Sequence, residues 1–484
     1  MEKSFSDSAF LAEGIIENCQ RKNEIEDAFV IVEDTGEAEI RYANNGITTN
    51  GERLDRTITL AVTTSKHGRQ SIGLQSISTL SVAEAVHDLI DEALMSAKLA
   101  EPLGVKETPL LPGELIEVST DAKNALSKDD FYLSPESVES GIFKEALSEL
   151  SSVFSSALKV KDLVSGFLSY EVTTTYLASS TGIRFRGAEQ LGTFELVKRR
   201  RRPDRVTSVW DGKITKDFKD ISPLAVNENL SQKLALSEKR VELPPGRYEV
   251  IMPPSAVADL MIELYSAADA RDVFEGGTVF SVPKGGSFSS QRIGQSGFSL
   301  FSDPYDIHLP CNETFVATSN GSDTSIFDNG VELHKTYWLK DAMVENLRCS
   351  RAEASKYDIS PAFHIGNLVL ETDRETTELQ DMIKKTKKGL LITCLWYIRE
   401  VDRSKLLLTG LTRDGVYLVE NGEIVAEVNN FRFNDSPITL LNNATEVSQS
   451  TTCYPRESGE WMPMCRMPAM KVSEFNFDSI SPAN

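Results

Sequence analysis

The sequence has little histidine and no clustered cysteine, and both shortages restrict the kinds of metal site that it can form. Among its 484 residues there are five histidines, namely His67, His87, His308, His334 and His364. A helix brings side chains together at spacings of three to five residues, and no two of these histidines lie that close. The six cysteines include no Cys-x-x-Cys pair. These spacings exclude a metal site built from one short His or Cys motif.

Long hydrophobic runs are also missing. No stretch of about 18 apolar residues occurs, so we expect no transmembrane helix. The first ten residues are polar and acidic, and they lack the basic start and apolar core of a secretory signal. Scattered cysteines without a paired spacing indicate reduced thiols. We therefore predict a cytoplasmic protein.

Basic residues are outnumbered by acidic ones. The chain has 51 Lys and Arg against 72 Asp and Glu, which gives a formal net charge of −21. This excess disfavours nonspecific attraction to nucleic acid or to anionic membranes, and we expect neither as a partner. Motifs for phosphate binding and nucleophilic catalysis are absent too, because no Gly-Lys-Ser/Thr and no Gly-x-Ser-x-Gly occurs.

A basic run interrupts this acidic background at Lys198, Arg199, Arg200, Arg201 and Arg202. Such runs can contact phosphates or a peptide carboxylate. A solvated strand end or an ion-pair patch between subunits explains the run as well, since no aromatic residues are interleaved with it. We keep these five residues as candidate contacts to a substrate or partner.

Hydrophobic periodicity divides the chain into three regions. Residues 1–105 combine a helical pattern with alternating strands, and residues 106–240 add a helix and a meander of long strands. Residues 241–484 are rich in short strands separated by turns. We predict an α+β fold, with an N-terminal helix and antiparallel-sheet region followed by a β-rich mixed C-terminal domain.

Four short motifs predict turns or helix starts in this fold. Asp34-Thr35-Gly36 predicts a turn between two strands, and Ser134-Pro135 predicts the start of a helix. Ser81 and Glu84 have the spacing of a capping box. Asn421-Gly422 predicts a two-residue hairpin, because both residues readily take positive φ.

Four segments of the C-terminal region carry a family resemblance, namely Thr386–Val401 (TKKGLLITCLWYIREV), Leu407–Glu423 (LLTGLTRDGVYLVENGE), Asn430–Pro437 (NFRFNDSP) and Met467–Val472 (MPAMKV). In these segments the chain resembles the TldD/TldE (PmbA) metallopeptidase family. The similarity is clear over about residues 245 to 475 and weaker over the N-terminal half. It rests on an extended pattern of strands and turns, and it implies a TldD/PmbA-type C-terminal domain.

The resemblance also implies where a metal site belongs in this family. The active TldD-like subunit holds zinc through two histidines of a His-Glu-x-x-x-His helix and through a cysteine. Aligned on Thr278–Ser281, this motif falls on Met261–Ser266, where the chain reads Met-Ile-Glu-Leu-Tyr-Ser. A thioether prefers soft metals and a hydroxyl is a poor zinc ligand. Cys453 lies near the third ligand position, and Glu263 is interpreted as an ordinary helix residue.

These substitutions match the TldE-like subunit, so we assign no catalytic, cofactor or metal residue to this chain. The resemblance implies a noncatalytic subunit of a heteromeric zinc metallopeptidase. It would shape the cleft for peptides while a TldD-like partner carries the zinc. Two alternatives stay open: a non-protease peptide-binding or scaffold protein in a biosynthetic complex, and a standalone hydrolase with a distant site, for example at His334 or His364.

Overall fold

The structure is a computed structural model, and it describes residues 8–66, 69–79, 85–100, 128–139, 141–281 and 288–481. The α-helices in these ranges are α1 (Ser8–Gln20), α2 (Ala85–Leu99), α3 (Lys128–Phe131), α4 (Lys144–Val160), α5 (Pro223–Leu236), α6 (Pro254–Ser266), α7 (Ala270–Phe274), α8 (Arg351–Tyr357), α9 (Leu379–Lys385) and α10 (Pro437–Asn443).

The β-strands of the N-terminal half are β1 (Ala28–Ala43), β2 (Gly46–Lys66), β3 (Arg69–Ser78), β4 (Asp162–Ser179), β5 (Arg184–Arg201) and β6 (Val206–Thr215). Those that follow are β7 (Arg240–Val241), β8 (Gly246–Met252), β9 (Phe298–Ser302), β10 (Thr336–Lys340), β11 (Met343–Val344), β12 (Asn367–Thr372), β13 (Lys388–Ile392), β14 (Leu395–Asp402), β15 (Leu407–Thr412), β16 (Val416–Glu420), β17 (Glu423–Val428), β18 (Phe431–Asp435), β19 (Ala444–Val447), β20 (Thr451–Cys453), β21 (Met464–Met467) and β22 (Met470–Ile480).

The N-terminal half folds around one antiparallel sheet of six strands, in the order β3-β2-β1-β4-β5-β6. Side chains alternate between the faces of a strand, so Val30 and Val32 of β1 pack under α1 and α2. Phe29 and Ile31 of the same strand face Phe327, far along the chain. Because β1 pairs with β4, regions 1–105 and 106–240 share this sheet. The expected boundary between them lies outside the described residues.

The C-terminal half contains two mixed sheets. The large sheet has the strand order β14-β15-β18-β22-β8-β13-β16-β17-β7, with β19 pairing onto β22, and the small sheet runs β11-β10-β9-β12-β21-β20. Parallel pairing of β13 with β8 and of β12 with β21 makes both of them mixed. Helix α6 packs against both sheets in the largest core cluster. The predicted α+β class, with its β-rich mixed C-terminal domain, is confirmed.

The predicted turn at residues 34–36 is wrong, because β1 continues without a break through this segment. Asp34 is fully buried and accepts a hydrogen bond from Arg56 Nε at 2.6 Å. Thr35 Oγ1 lies 2.9 Å from Thr173 Oγ1 on the neighbouring strand. Hydrogen bonds to both neighbouring strands therefore keep residues 34–36 in an extended conformation, although their sequence favours a turn.

The predicted helix start at Ser134-Pro135 is also wrong, since residues 134–139 carry no helix and α4 begins at Lys144. The Ser134 carbonyl accepts a hydrogen bond from Arg186 Nη2 at 2.8 Å. The Glu136 N–H donates to Thr174 Oγ1 at 2.9 Å. These contacts to the sheet hold residues 134–136 in a non-helical conformation.

The Asn421-Gly422 hairpin is confirmed. These two residues have φ of 51° and 83° and join the antiparallel strands β16 and β17. The capping box at Ser81 and Glu84 lies outside the described residues. Over the part of the chain that the structure describes, the helices are too short or too polar to cross a membrane.

Candidate functional site

Helix α6 carries the segment that aligns with the family's metal-binding motif. It begins at Pro254, a favoured first residue because it has no N–H to leave unpaired. Met261 is fully buried in the core. Ser266 Oγ donates to the carbonyl of Ile262, one turn earlier, at 2.9 Å. A thioether packed in the core and a hydroxyl bound to its own helix do not fit a zinc site.

Cys453 lies on β20, opposite Cys465 of β21. Burial raises the pKa of the Cys453 thiol well above its ordinary value, and the charge of nearby Asp259 acts in the same direction. Only the thiolate is a strong metal ligand, so this environment disfavours metal binding. Over the described ranges, no three or more His, Cys, Asp and Glu side chains are grouped so that they could hold a metal ion.

Asp259 of α6 positions the segment of residues 454–462, which we call the 454–462 loop. Its fully buried carboxylate accepts hydrogen bonds from the backbone N–H groups of Arg456, Glu457 and Ser458, at 3.2, 3.0 and 3.1 Å. Burial raises the pKa of Asp259 to about 8, although the three N–H donors act against this rise. The conformation of the loop therefore depends on one carboxyl group.

Glu457 connects the same loop to the edge of the large sheet. Strand β14 is the terminal strand of that sheet, and an edge strand has N–H groups available for new partners. The Glu457 carboxylate accepts from the N–H groups of Tyr397 and Ile398, at 2.9 and 3.2 Å. It also accepts from Arg399 Nη1 at 3.1 Å. The loop thus covers part of the exposed edge.

Arg456 links the N-terminal sheet to the C-terminal domain. Its guanidinium donates to the carboxylate of Glu195 on β5. It also lies 4.9 Å from the ring centroids of both Trp210 on β6 and Trp396 on β14. Asp414 is a more distant partner, at 3.9 Å. One largely buried cation therefore contacts both halves of the molecule beside α6.

Residues 245–479 match the family described as the PmbA/TldA metallopeptidase C-terminal domain. The C-terminal domain of this chain therefore belongs to the PmbA/TldD family. The match begins just before β8 and includes α6, the edge strand β14 and the 454–462 loop. Among curated proteins, no match was found.

Solved structures share the fold over nearly the whole chain. TldE from Thermococcus kodakarensis gives a TM-score of 0.74 at 17% identity, covering 97% of this chain and 100% of that one. Two proteins described as candidate modulators of DNA gyrase come from Thermotoga maritima and Bacteroides thetaiotaomicron. Their TM-scores are 0.73 and 0.71 at 16% and 14% identity, and they cover 97% of this chain and 99% and 98% of their own. At such identities the likeness shows the fold alone.

Glu263 lies one turn beyond Asp259 on α6 of this PmbA/TldD-family domain. Burial raises its pKa to about 7, and repulsion from Glu400 and Glu457 adds to the shift while Arg399 opposes it. The sequence suggested an ordinary helix residue. The structure places it in an acidic group beside the 454–462 loop, where its proton uptake is coupled to folding.

We predict that Glu263→Gln reduces the pH dependence of stability between about pH 4.5 and 7. A raised folded-state pKa means that the stabilisation is complete below the unfolded pKa and is lost as pH rises through the folded value. Over this window the native chain should lose roughly 2 kcal/mol more than the variant, a value discounted because the side chain is partly solvent-screened.

Urea unfolding at about pH 5 and about pH 8 measures this difference. Glu275→Gln, which alters an exposed carboxylate shortly after α7, is the matched control and should keep the native slope. Equal slopes for the native protein and Glu263→Gln would contradict the prediction.

His364 sits in an aromatic cluster against α6. Its Nδ1 lies 2.8 Å from the hydroxyl of Tyr265, and Trp461, which is 48% exposed, stacks beside both rings. Burial, followed by the positive charge of Arg348, lowers the pKa of His364 to about 4. His364 is therefore a neutral ring near pH 7. His334, the other histidine considered for a distant site, is exposed and lies 3.9 Å from the carboxylate of Glu332.

The basic run divides into two sets because it follows β5 to its end, where side chains alternate. Lys198, Arg200 and Arg202 are held by contacts within the chain, whereas Arg199 and Arg201 are exposed. The partners of the first set are the side chains of Asp162, Thr207, Asn227 and Ser231 and the carbonyl of Leu234. A contact role for the run stays a prediction, and Arg199 and Arg201 are its accessible members.

Sequence patterns had not indicated Asp259, Arg456 or Glu457. The hydrogen bond from Arg456 to Asp259 spans 197 residues, far beyond any local motif. An acidic residue among the apolar neighbours Val257, Leu260 and Met261 of α6 was the available signal, because a buried carboxylate needs hydrogen-bond donors.

Proposed function

We propose that this chain is a noncatalytic subunit of a heteromeric, cytoplasmic peptidase of the PmbA/TldD group. It shapes a cleft for peptides, and a TldD-like partner holds zinc. The observation that carries this proposal is the state of α6, where Met261 is part of the core and Ser266 is bound to its own helix. The two positions aligned with the histidines are thus used for folding.

The edge strand β14 and the 454–462 loop supply the surface for the partner or the peptide. Tyr397, Val401 and Trp461 are about half exposed, at 55%, 56% and 48%. Apolar side chains grouped on a surface favour protein contacts, and an edge strand can accept an added peptide strand. Arg199 and Arg201 remain candidate cationic contacts.

The test is purification of the full-length chain from its native host, followed by metal analysis of each subunit. We expect a co-purifying chain of the same fold with His-Glu-x-x-x-His, zinc in that chain, and peptide hydrolysis only when both are present. Ser266→Ala should leave the metal content of the complex unchanged, because this hydroxyl already bonds to Ile262.

Replacing a motif histidine of the partner is the positive control and should remove the metal. A transition-metal ion held tightly by the isolated chain would contradict the proposal. Peptide binding without any TldD-like partner would favour the scaffold alternative instead.

A further inference from the structure

A cavity of about 530 Å³ lies where the N-terminal sheet meets the C-terminal domain. Residues of β6 and α5 form one wall, and the beginnings of α6 and α9 together with β13, β16 and β20 form the other. Pockets for small ligands are typically about 300–1,000 Å³ in volume. The cavity is therefore large enough for a short peptide segment.

The charged residues that line this cavity are Asp211, Lys213 and Lys233. Two ammonium groups against one carboxylate make the lining positive, within a chain whose net charge is −21. Lys213 Nζ lies 3.5 Å from the Asp211 carboxylate. Burial lowers the pKa of Lys233, the charge of Asp211 opposes this shift, and the charge of Lys213 adds to it. An anion that enters the cavity would offset the cost of burying this ammonium group.

The beginning of α6 adds to the positive potential. Pro253, Pro254 and Ser255 line the cavity at the point where the 13-residue helix starts. A helix N-terminus carries a partial positive charge, and no side chain caps this one. Cys453 also lines the cavity. Because burial raises the pKa of its thiol, it does not place a competing anion there.

The remaining lining combines rings with neutral polar groups. Trp210, Tyr417 and Tyr454 contribute aromatic surface, and Gln232 and Gln380 contribute amides. Apolar walls with a few placed polar groups are typical of ligand sites. This combination suits a ligand with one anionic end and a hydrophobic or amide-containing body.

We propose that this cavity binds the C-terminal carboxylate of a short peptide, with Lys233 as the principal cation. The choice of a peptide rests on the proposed function. The choice of a carboxylate rests on the charges of the cavity itself.

Isothermal titration calorimetry of the full-length chain tests this with N-acetyl-Ala-Ala-Phe and its C-terminal amide. We expect the acid to bind roughly tenfold or more tightly than the amide, since a charge-assisted hydrogen bond is lost in the amide. Lys233→Gln should abolish this preference. Lys239→Gln, which changes an exposed lysine outside the lining, should preserve it.

A second variant guards against misfolding of Lys233→Gln. Gln232→Glu changes an exposed lining residue and should weaken binding of the acid by a similar factor through charge repulsion. Equal affinity for acid and amide, no binding of either, or a preference that survives Lys233→Gln would overturn the inference. Acetate that binds as tightly as the peptide acid would overturn the peptide as the ligand.

The result of this titration can be distinguished from the result of the test of the proposed function. Selective binding of the acid by a chain that associates with no TldD-like partner would contradict the subunit role and support the carboxylate site. A zinc-bearing partner, found together with equal affinity for acid and amide, would support the subunit role and contradict the carboxylate site.

Discussion

Asp259→Ala is expected to lower the free energy of unfolding by about 3–5 kcal/mol and to release the 454–462 loop from α6. The substitution removes the acceptor for three backbone N–H groups. Each buried donor left without a partner costs about 1–3 kcal/mol, and water recovers part of that cost. Few single substitutions reach this magnitude.

Urea unfolding measures the loss of stability for Asp259→Ala, and hydrogen exchange at the Arg456, Glu457 and Ser458 amides measures release of the loop. Asp259→Asn keeps one acceptor oxygen and should recover part of the stability. Ser266→Ala on the same helix should change stability by less than about 0.5 kcal/mol. Unchanged exchange at these three amides in Asp259→Ala would show that the loop does not depend on this carboxyl group.

Arg456→Ala is the second large effect, with an expected loss of about 3–5 kcal/mol. The guanidinium is only 11% exposed and is paired with Glu195, which is 14% exposed. Removing one member of a buried pair leaves the other charge uncompensated, at a cost of about 3–5 kcal/mol. The contacts with the rings of Trp210 and Trp396 are lost as well. The junction between the two halves should loosen.

Thermal and urea unfolding, with limited proteolysis at the junction, test this expectation for Arg456→Ala. Arg399→Ala is the matched control, because Arg399 is 58% exposed in its ion pair with Glu457, and exposed pairs contribute about 1 kcal/mol or less. A loss of stability in Arg456→Ala no greater than in the Arg399 variant would refute a structural role for this cation.

Sequence motifs predicted the local structure correctly where the conformation depends only on neighbouring residues. Asn421-Gly422 forms its hairpin because positive φ at two successive residues is a property of those residues themselves. The turn predicted at Asp34-Thr35-Gly36 does not form, because the side chains of Asp34 and Thr35 hydrogen-bond to Arg56 and Thr173 on the adjacent strands. The basic run was visible in the sequence, but β5 and α5 decide which of its members face solvent.

By itself, the sequence determined the α+β class, the membership of the C-terminal domain in the PmbA/TldD family, and the methionine and serine at the two positions aligned with histidine. Only the tertiary structure decided which polar side chains lose contact with water. Asp259 and the 454–462 loop, Arg456 and Glu195, and Lys233 and its cavity are brought together from distant parts of the chain. Desolvation and hydrogen bonding at these places depend on packing between elements, and no local pattern records such packing.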